Sequence, residues 1–170
     1  MAVIECDVPA ASALDGELVR SYDSYRVPLL RPGLSVSEIF FAVFGHTPLW
    51  MKALLIARNA IARRFGLEAP TADEILHPTM RASYRVGDKI GPWPIYFIGE
   101  DEIVAGRNNK HLDFRLSVLR VKEGAAESVV VSTICSVHNL AGKIYLFFIV
   151  PFHRTGVQSL LAKAVAAKRL

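Results

Sequence analysis

Histidines near carboxylates, arginines or turn residues are the side chains in this sequence that could do proton chemistry. His111 and Asp113 stand two apart in an alternating stretch, which puts them with Arg115 on one face of a strand. A carboxylate beside an imidazole fixes its tautomer and raises its basicity, as a general base requires. The same triplet also suits the outward face of a one-sided sheet, and that reading predicts His111, Asp113 and Arg115 partly exposed. His138-Asn139 stands at a strand end before a turn, where asparagine tolerates the left-handed conformation. In Pro151-Phe152-His153-Arg154 a histidine and an arginine stand where a strand passes into a helix. With free backbone N–H groups they could hold an anion. Cations at a helix N-terminus oppose its dipole, so a carboxylate or bound anion is expected within hydrogen-bond reach of His153 and Arg154.

No nucleotide loop, nucleophile motif or metal cluster accompanies these groups. Cys6 and Cys135 lie far apart in no CxxC or Cys/His pattern. Cys135, in a valine-rich run, reads as a small buried hydrophobe. Neither a metal nor a cofactor is expected.

The aromatic set, with Phe40, Phe44, Trp50, Trp93, Tyr96 and Phe97 early and Tyr145, Phe147 and Phe148 late, reads mostly as core. Part of it would line any cavity, since ligand pockets are largely apolar with few polar groups. The residues expected at such a ligand site are Trp50, His138, Tyr145, His153 and Arg154. Gly91-Pro92-Trp93-Pro94 reads as a stiff, packed turn.

These residues need a scaffold, and 170 residues at 52% hydrophobic content suffice for one domain without disulfides or metals. Mean hydropathy is +0.30. The longest uninterrupted apolar stretch, Ile144–Phe152, is about half of what a bilayer helix needs. The N-terminus carries Glu5 and Asp7 where a signal peptide would be basic. The cytoplasm is therefore the default location, and no membrane partner is expected. Net charge is +4 and the pI about 9.2. The basic residues form no stripe; Arg63-Arg64 and Lys168-Arg169 sit near helix C-termini, where cations favour the dipole. Nucleic acid is not an expected partner.

Residues 1–20 carry little pattern and suggest a loosely packed arm. A first strand is expected around Ser24–Leu30, stopped by Arg31-Pro32-Gly33. Ser35 and Glu38 make a capping box for a helix through Phe44 that stops at Gly45. Thr47 and Pro48 open a second helix to Phe65, ended by Gly66. Its stripe Trp50, Leu54, Ala57, Ile61 and Phe65, widened by Met51 and Leu55, predicts burial over much of its girth. Thr71 to Glu74 is a short capped turn.

From about residue 82 the period becomes two. Ile95–Arg107, broken near Gly99, then Lys110–Arg120, Glu127–His138 and Ile144–Val150 read as strands. The last is apolar on both faces and so central. Asn108-Asn109, Lys122–Ala126 and Asn139–Gly142 are hairpin-like connections. After Pro151 the stripe Val157, Leu160, Leu161, Ala164 and Val165 predicts an amphipathic helix. The class is α+β: a curved antiparallel sheet gripping a long C-terminal helix, with two helices after the first strand.

That order resembles the helix-grip, or START/Bet v 1-like, superfamily. Pro48-Leu49-Trp50, Arg58-Asn59, Phe65-Gly66-Leu67, Lys110 to Arg115, Val137-His138-Asn139 and Pro151 to Arg154 resemble a bacterial family known only as a domain of unknown function. That family occurs alone and fused behind NmrA-like short-chain dehydrogenase domains, and no catalytic residues are assigned in it. The chain has no Gly-rich dinucleotide fingerprint, so such chemistry would belong to a partner.

Three functions are compatible with this reading. The leading one is binding of an apolar or amphipathic small molecule between sheet and C-terminal helix. The second is an enzyme of the same fold doing acid–base chemistry of the cyclase, dehydratase or isomerase kind. The third is an interaction module that docks on a dehydrogenase partner or forms a homodimer, and it predicts an exposed apolar patch.

Overall fold

The computed structural model describes residues 3–14, 21–64 and 69–170, with only the backbone at 21, 22, 61 and 62. Among these residues seven antiparallel strands form one sheet in the order β1-β2-β7-β6-β5-β4-β3. The strands are β1 (Ile4–Glu5), β2 (Ser21–Pro28), β3 (Lys89–Ile90), β4 (Trp93–Ile98), β5 (Glu102–Asn108), β6 (Leu112–Glu123) and β7 (Ala126–Val137). The β-branched run Val129, Val130, Val131 suits β7 to the interior of the sheet, where it pairs along its length with β2 and β6. Gly124, at φ +64°, supplies the left-handed residue that the β6–β7 turn needs.

Helix α1 (Val36–Phe44) starts on the capping box of Ser35 and Glu38, whose reciprocal hydrogen bonds are both made, and ends on Gly45. Thr71 and Glu74 cap the short α3 (Ala72–Leu76) in the same way. Helix α2 (Leu49–Arg64) lies between them. Thr47 does not cap it, because its hydroxyl donates to the Phe44 carbonyl at 2.8 Å. The expected end at Phe65 and Gly66 lies outside the described residues.

Alternation along β2, β5, β6 and β7 puts Tyr25, Val27, Ile103, Ala105, Leu116, Val118, Val129 and Val131 on one face. All are buried against Ile39, Phe40 and Val43 of α1 and the expected stripe Val157, Leu160, Leu161, Ala164 and Val165 of helix α4 (Leu140–Ala166). The helices thus collect on one side of an antiparallel sheet, an α+β architecture consistent with the helix-grip arrangement.

Three expectations need correction. Ile144–Val150 is not a central strand: α4 runs unbroken from Leu140 to Ala166 with Pro151 inside it. Strand β7 already has β2 and β6 on its two edges, so a following segment has no vacant edge beside it. Asn139–Gly142 is accordingly a helix start, with the Asn139 side chain accepting from the Gly142 N–H at 3.1 Å. Helix α2 is not buried over its girth, for only Asn59 among its described side chains is buried, and Trp50, Leu54 and Ala57 are exposed. The described part of the arm is not loose either. Ser12 and Leu14 are buried on the outer face, where Leu14 packs with Val104 and Ile134. Buried Glu102 ties the arm down, accepting from the Ser12 hydroxyl at 2.5 Å, the Ser117 hydroxyl at 2.5 Å and the Ala13 N–H at 2.8 Å.

Candidate functional site

Helix α4 meets the sheet at its start, through His153 and from Val157 onward, and is less covered between its start and His153. At its start Gly142 packs so closely on β6 that an added Cβ would collide with the His111 carbonyl oxygen. From Val157 onward the inward stripe is buried. Between these points the side chains Tyr145, Leu146, Ile149 and His153 are only half-buried. Opposite, Phe114 and Cys135 share the face of Leu116 and Val131, and both are also half-buried. A close-packed core would cover all of these. These incompletely covered apolar surfaces of α4 and the sheet are taken together as the candidate slot.

Its polar end is built by β2 and β7. Asp23 is two residues before Tyr25 in β2, so it projects from the apolar face, and Thr133 pairs with it across the sheet. Asp23 is only 6% exposed, yet its Oδ1 is enclosed and makes no hydrogen bond. His153 reaches down from α4, with Nε2 at 3.1 Å from Thr133 Oγ1 and 3.5 Å from Asp23 Oδ1. Its side chain is 34% exposed, so the pair joins a buried carboxylate to a ring that solvent or a ligand can reach. The Tyr25 hydroxyl is buried nearby; Gln158 lies close to it but makes no well-formed hydrogen bond. Burial, with the Asp23 charge, raises the Tyr25 pKa. Burial and the same carboxylate push the Cys135 thiol up to about 11, so it stays protonated at neutral pH.

Where the slot meets α2, Arg58 donates to the Tyr145 hydroxyl, and its guanidinium carbon lies 5.2 Å from that ring's centroid. Arg58 is exposed as a residue, but desolvation of its guanidinium and the nearby Arg107 charge lower its pKa. Arg107 donates to the Pro92 carbonyl at 3.0 Å and keeps a buried Nε without a partner.

The expected residues therefore separate. His153 has a carboxylate, Asp23, at ion-pair distance but without a hydrogen bond, and it stands in the middle of α4, not at the helix N-terminus where an anion was expected; Tyr145 lies two turns before it. Arg154 is exposed and acts on the cluster only through its charge near Tyr25. Trp50 is 59% exposed on the outer side of α2. His138 lies at the far end of the sheet, its Nε2 3.2 Å from Asp113. His111, Asp113 and Arg115 are half-buried, as alternation predicts, but Asp113 pairs with His138 and not with His111. His111 instead meets the Asn139 side chain at 3.0–3.2 Å, beside the cap of α4. Asp101 binds Arg120 and Lys122. Phe147 and Phe148, expected in the core, are 77% and 63% exposed. Trp93 does pack, against Phe40, Phe44 and Phe114.

Asp23, Tyr25 and Thr133 escaped the sequence reading, although Ser21 to Pro28 carries a usable signal. An aspartate in phase with Tyr25 and Val27 is a charge on an apolar face, and such a charge needs a reason to be there. A separate hollow bounded by Phe40, Phe44, Leu55, Ile75 and Trp93 has a volume of about 50 Å³, too small for an organic ligand. Among the described residues no group of three or more His, Cys, Asp or Glu is placed to hold a metal ion, and no single helix is long and apolar enough to cross a membrane.

The model of a family described as a protein of unknown function (DUF2867) matches residues 18–160, and the chain belongs to that family. Comparison with curated proteins gives no match.

Proposed function

We propose that this member of the DUF2867 family binds an amphipathic small molecule in the slot between the sheet and the first half of α4. The apolar body would lie along Phe114, Leu146 and Ile149, and a polar group would meet Asp23, Thr133 and His153. One observation carries the proposal: a buried carboxylate whose Oδ1 makes no hydrogen bond lies 3.5 Å from the partly exposed ring of His153. Buried polar atoms are almost always satisfied, so an unsatisfied carboxylate next to a partly exposed histidine supports a polar ligand group at that end. Hydroxyl or amine groups would suit Asp23, and a carbonyl or carboxylate would suit protonated His153.

The test is displacement of a fluorescent fatty-acid analogue from the purified protein, together with mass spectrometry of any apolar molecule that co-purifies. Ligand at a hundred times its dissociation constant should add about 2.7 kcal/mol, or roughly 5–11 °C in Tm for a domain of this size. Ile149→Trp, which fills the slot, should abolish probe binding. Binding undiminished by Ile149→Trp, or no binding and no melting shift across a broad apolar panel, would sink the proposal.

The Asp23–His153 pair also favours a second reading, acid–base catalysis in the same slot. Asp23 would hold the imidazole, and the exposed edge of His153 would move a proton on the ligand. His153→Gln separates the two readings, since a binding module keeps ligand affinity within a few fold while an enzyme loses turnover by about 100-fold or more.

A further inference from the structure

The first half of α4 has a second apolar side. Leu140, Ile144, Phe147, Phe148, Pro151 and Phe152 recur at the spacing of one helical stripe, and all six are exposed. This stripe points away from the sheet, opposite to Val157, Leu161 and Ala164. Helix α2 continues the surface, with Leu49, Trp50 and Leu54 exposed and two contacts joining the helices. Arg58 meets Tyr145, and Met51 lies 3.7 Å from where a Cβ on Gly156 would be. Nine of the sixteen exposed large apolar side chains among the described residues belong to these two helices, so the apolar exposure is concentrated. The three most exposed, Leu49 at 78%, Phe147 at 77% and Phe152 at 76%, all lie there. Surfaces of this kind mark interaction sites.

The charges choose the partner. Neither helix contains an aspartate or glutamate. Helix α2 carries Lys52, Arg58, Arg63 and Arg64, and α4 carries Lys143, Arg154 and Lys163. A second copy of the chain would bring two such basic faces together with no helical carboxylate to pair them. An anionic lipid surface matches both features, taking protruding aromatics among its acyl chains and lysines and arginines at its headgroups. We infer that the face formed by α2 and the first half of α4 docks on an anionic bilayer, with both helices lying in the headgroup plane. The sequence reading expected no membrane because no apolar stretch is long enough to span one; lying on a surface needs no such length, and α4 turns Ile144, Phe147 and Phe148 outward.

The test is flotation of the full chain with vesicles of phosphatidylcholine, alone or mixed with phosphatidylserine. The protein should float with the mixed vesicles at low salt, and far less with phosphatidylcholine alone or at high salt. Combining Phe147→Ser, Phe148→Ser and Phe152→Ser should weaken partitioning by about a hundredfold, given the apolar area withdrawn. These side chains are exposed, so the melting curve should stay in place. Lys143→Glu with Arg63→Glu should weaken it by at least about fivefold per site. No flotation with anionic vesicles at low salt, or flotation unchanged by the triple substitution, overturns the inference. So does a self-association abolished by the triple substitution without any vesicle binding, which would make the face a contact between copies. The three phenylalanines point away from the slot, so probe binding in solution should survive their replacement. The lipid-docking and ligand-binding proposals therefore fail separately.

Discussion

Replacing each of the two carboxylates buried among the described residues by its amide should move stability in opposite directions. Asp23 and Glu102 are 6% and 4% exposed, so each has lost most of its hydration. Glu102 recovers it through three hydrogen bonds of 2.5–2.8 Å from Ser12, Ala13 and Ser117. Asp23 has an ion pair of 3.5 Å to a histidine that is charged only when protonated, and an Oδ1 with no hydrogen bond. Burying a charge costs several kcal/mol after relaxation; removing one member of a good buried ion pair costs about 3–5 kcal/mol, but a 3.5 Å contact to a half-exposed histidine offsets little of the burial cost. Asp23→Asn should therefore stabilise the ligand-free protein by about 1 kcal/mol, or roughly 2–4 °C in Tm. Glu102→Gln removes charge-assisted bonds and sets an NH₂ against one of the former donors. It should cost about 2–4 kcal/mol, or roughly 5–15 °C. Urea unfolding at pH 7 with matched m-values measures both. If Asp23→Asn lowers stability by more than about 1 kcal/mol, the carboxylate is a structural support and the argument for a polar ligand group at that end of the slot fails.

The Cys135 thiol keeps its proton to about pH 11 in the folded chain, against an ordinary value of 9.0. Stability should fall as pH climbs through that window, by up to about 2–3 kcal/mol, and Cys135→Ala should flatten the fall in alkaline urea titrations. Leu161→Ala, at a fully buried position on α4, should cost about 3–5 kcal/mol by chemical denaturation. Gly142→Ala should push the start of α4 off β6 and cost about 1–3 kcal/mol, seen as faster amide exchange in the first turns of the helix. A cost below about 0.5 kcal/mol there would mean that the close approach to His111 is not maintained in solution.

Local rules legible in the sequence settled much of the frame. The Ser35–Glu38 and Thr71–Glu74 boxes form as read, Gly124 takes the turn between β6 and β7, and Leu112, Leu116 and Val118 point inward while His111, Asp113 and Arg115 stay half-exposed. These signals involve neighbours in the chain or a period of two, so one sequence suffices to find them. The polar end of the slot is different in kind. Asp23, Thr133 and His153 are contributed by β2, β7 and α4, and they meet only because β2 crosses the chain to pair with β7. Phase within β2 hints at Asp23, but no local pattern identifies which histidine arrives opposite it.

Ile144–Val150 went wrong for a reason tied to function. An apolar run of seven residues fits a strand covered on both faces as well as a helix, and Pro151 looked like a boundary. In the structure Pro151 lies within the helix, where the Phe147 carbonyl lacks its usual N–H partner and Thr155 Oγ1 donates to the Pro151 carbonyl at 3.0 Å. A segment apolar all round is expected to be covered all round. Here one side, Leu146 and Ile149, faces a partly open slot, and the other, Phe147, Phe148 and Phe152, faces outward with nothing over it among the described residues. A strand between two layers would have had its apolar sides covered by the fold itself. Because the segment is a helix held at Gly142 and again from Val157, both sides remain available to partners. The residues that misled the pattern reading are thus the ones to which the two proposals assign the slot wall and the docking face, and a polar face substituted on either side should cost binding before it costs stability.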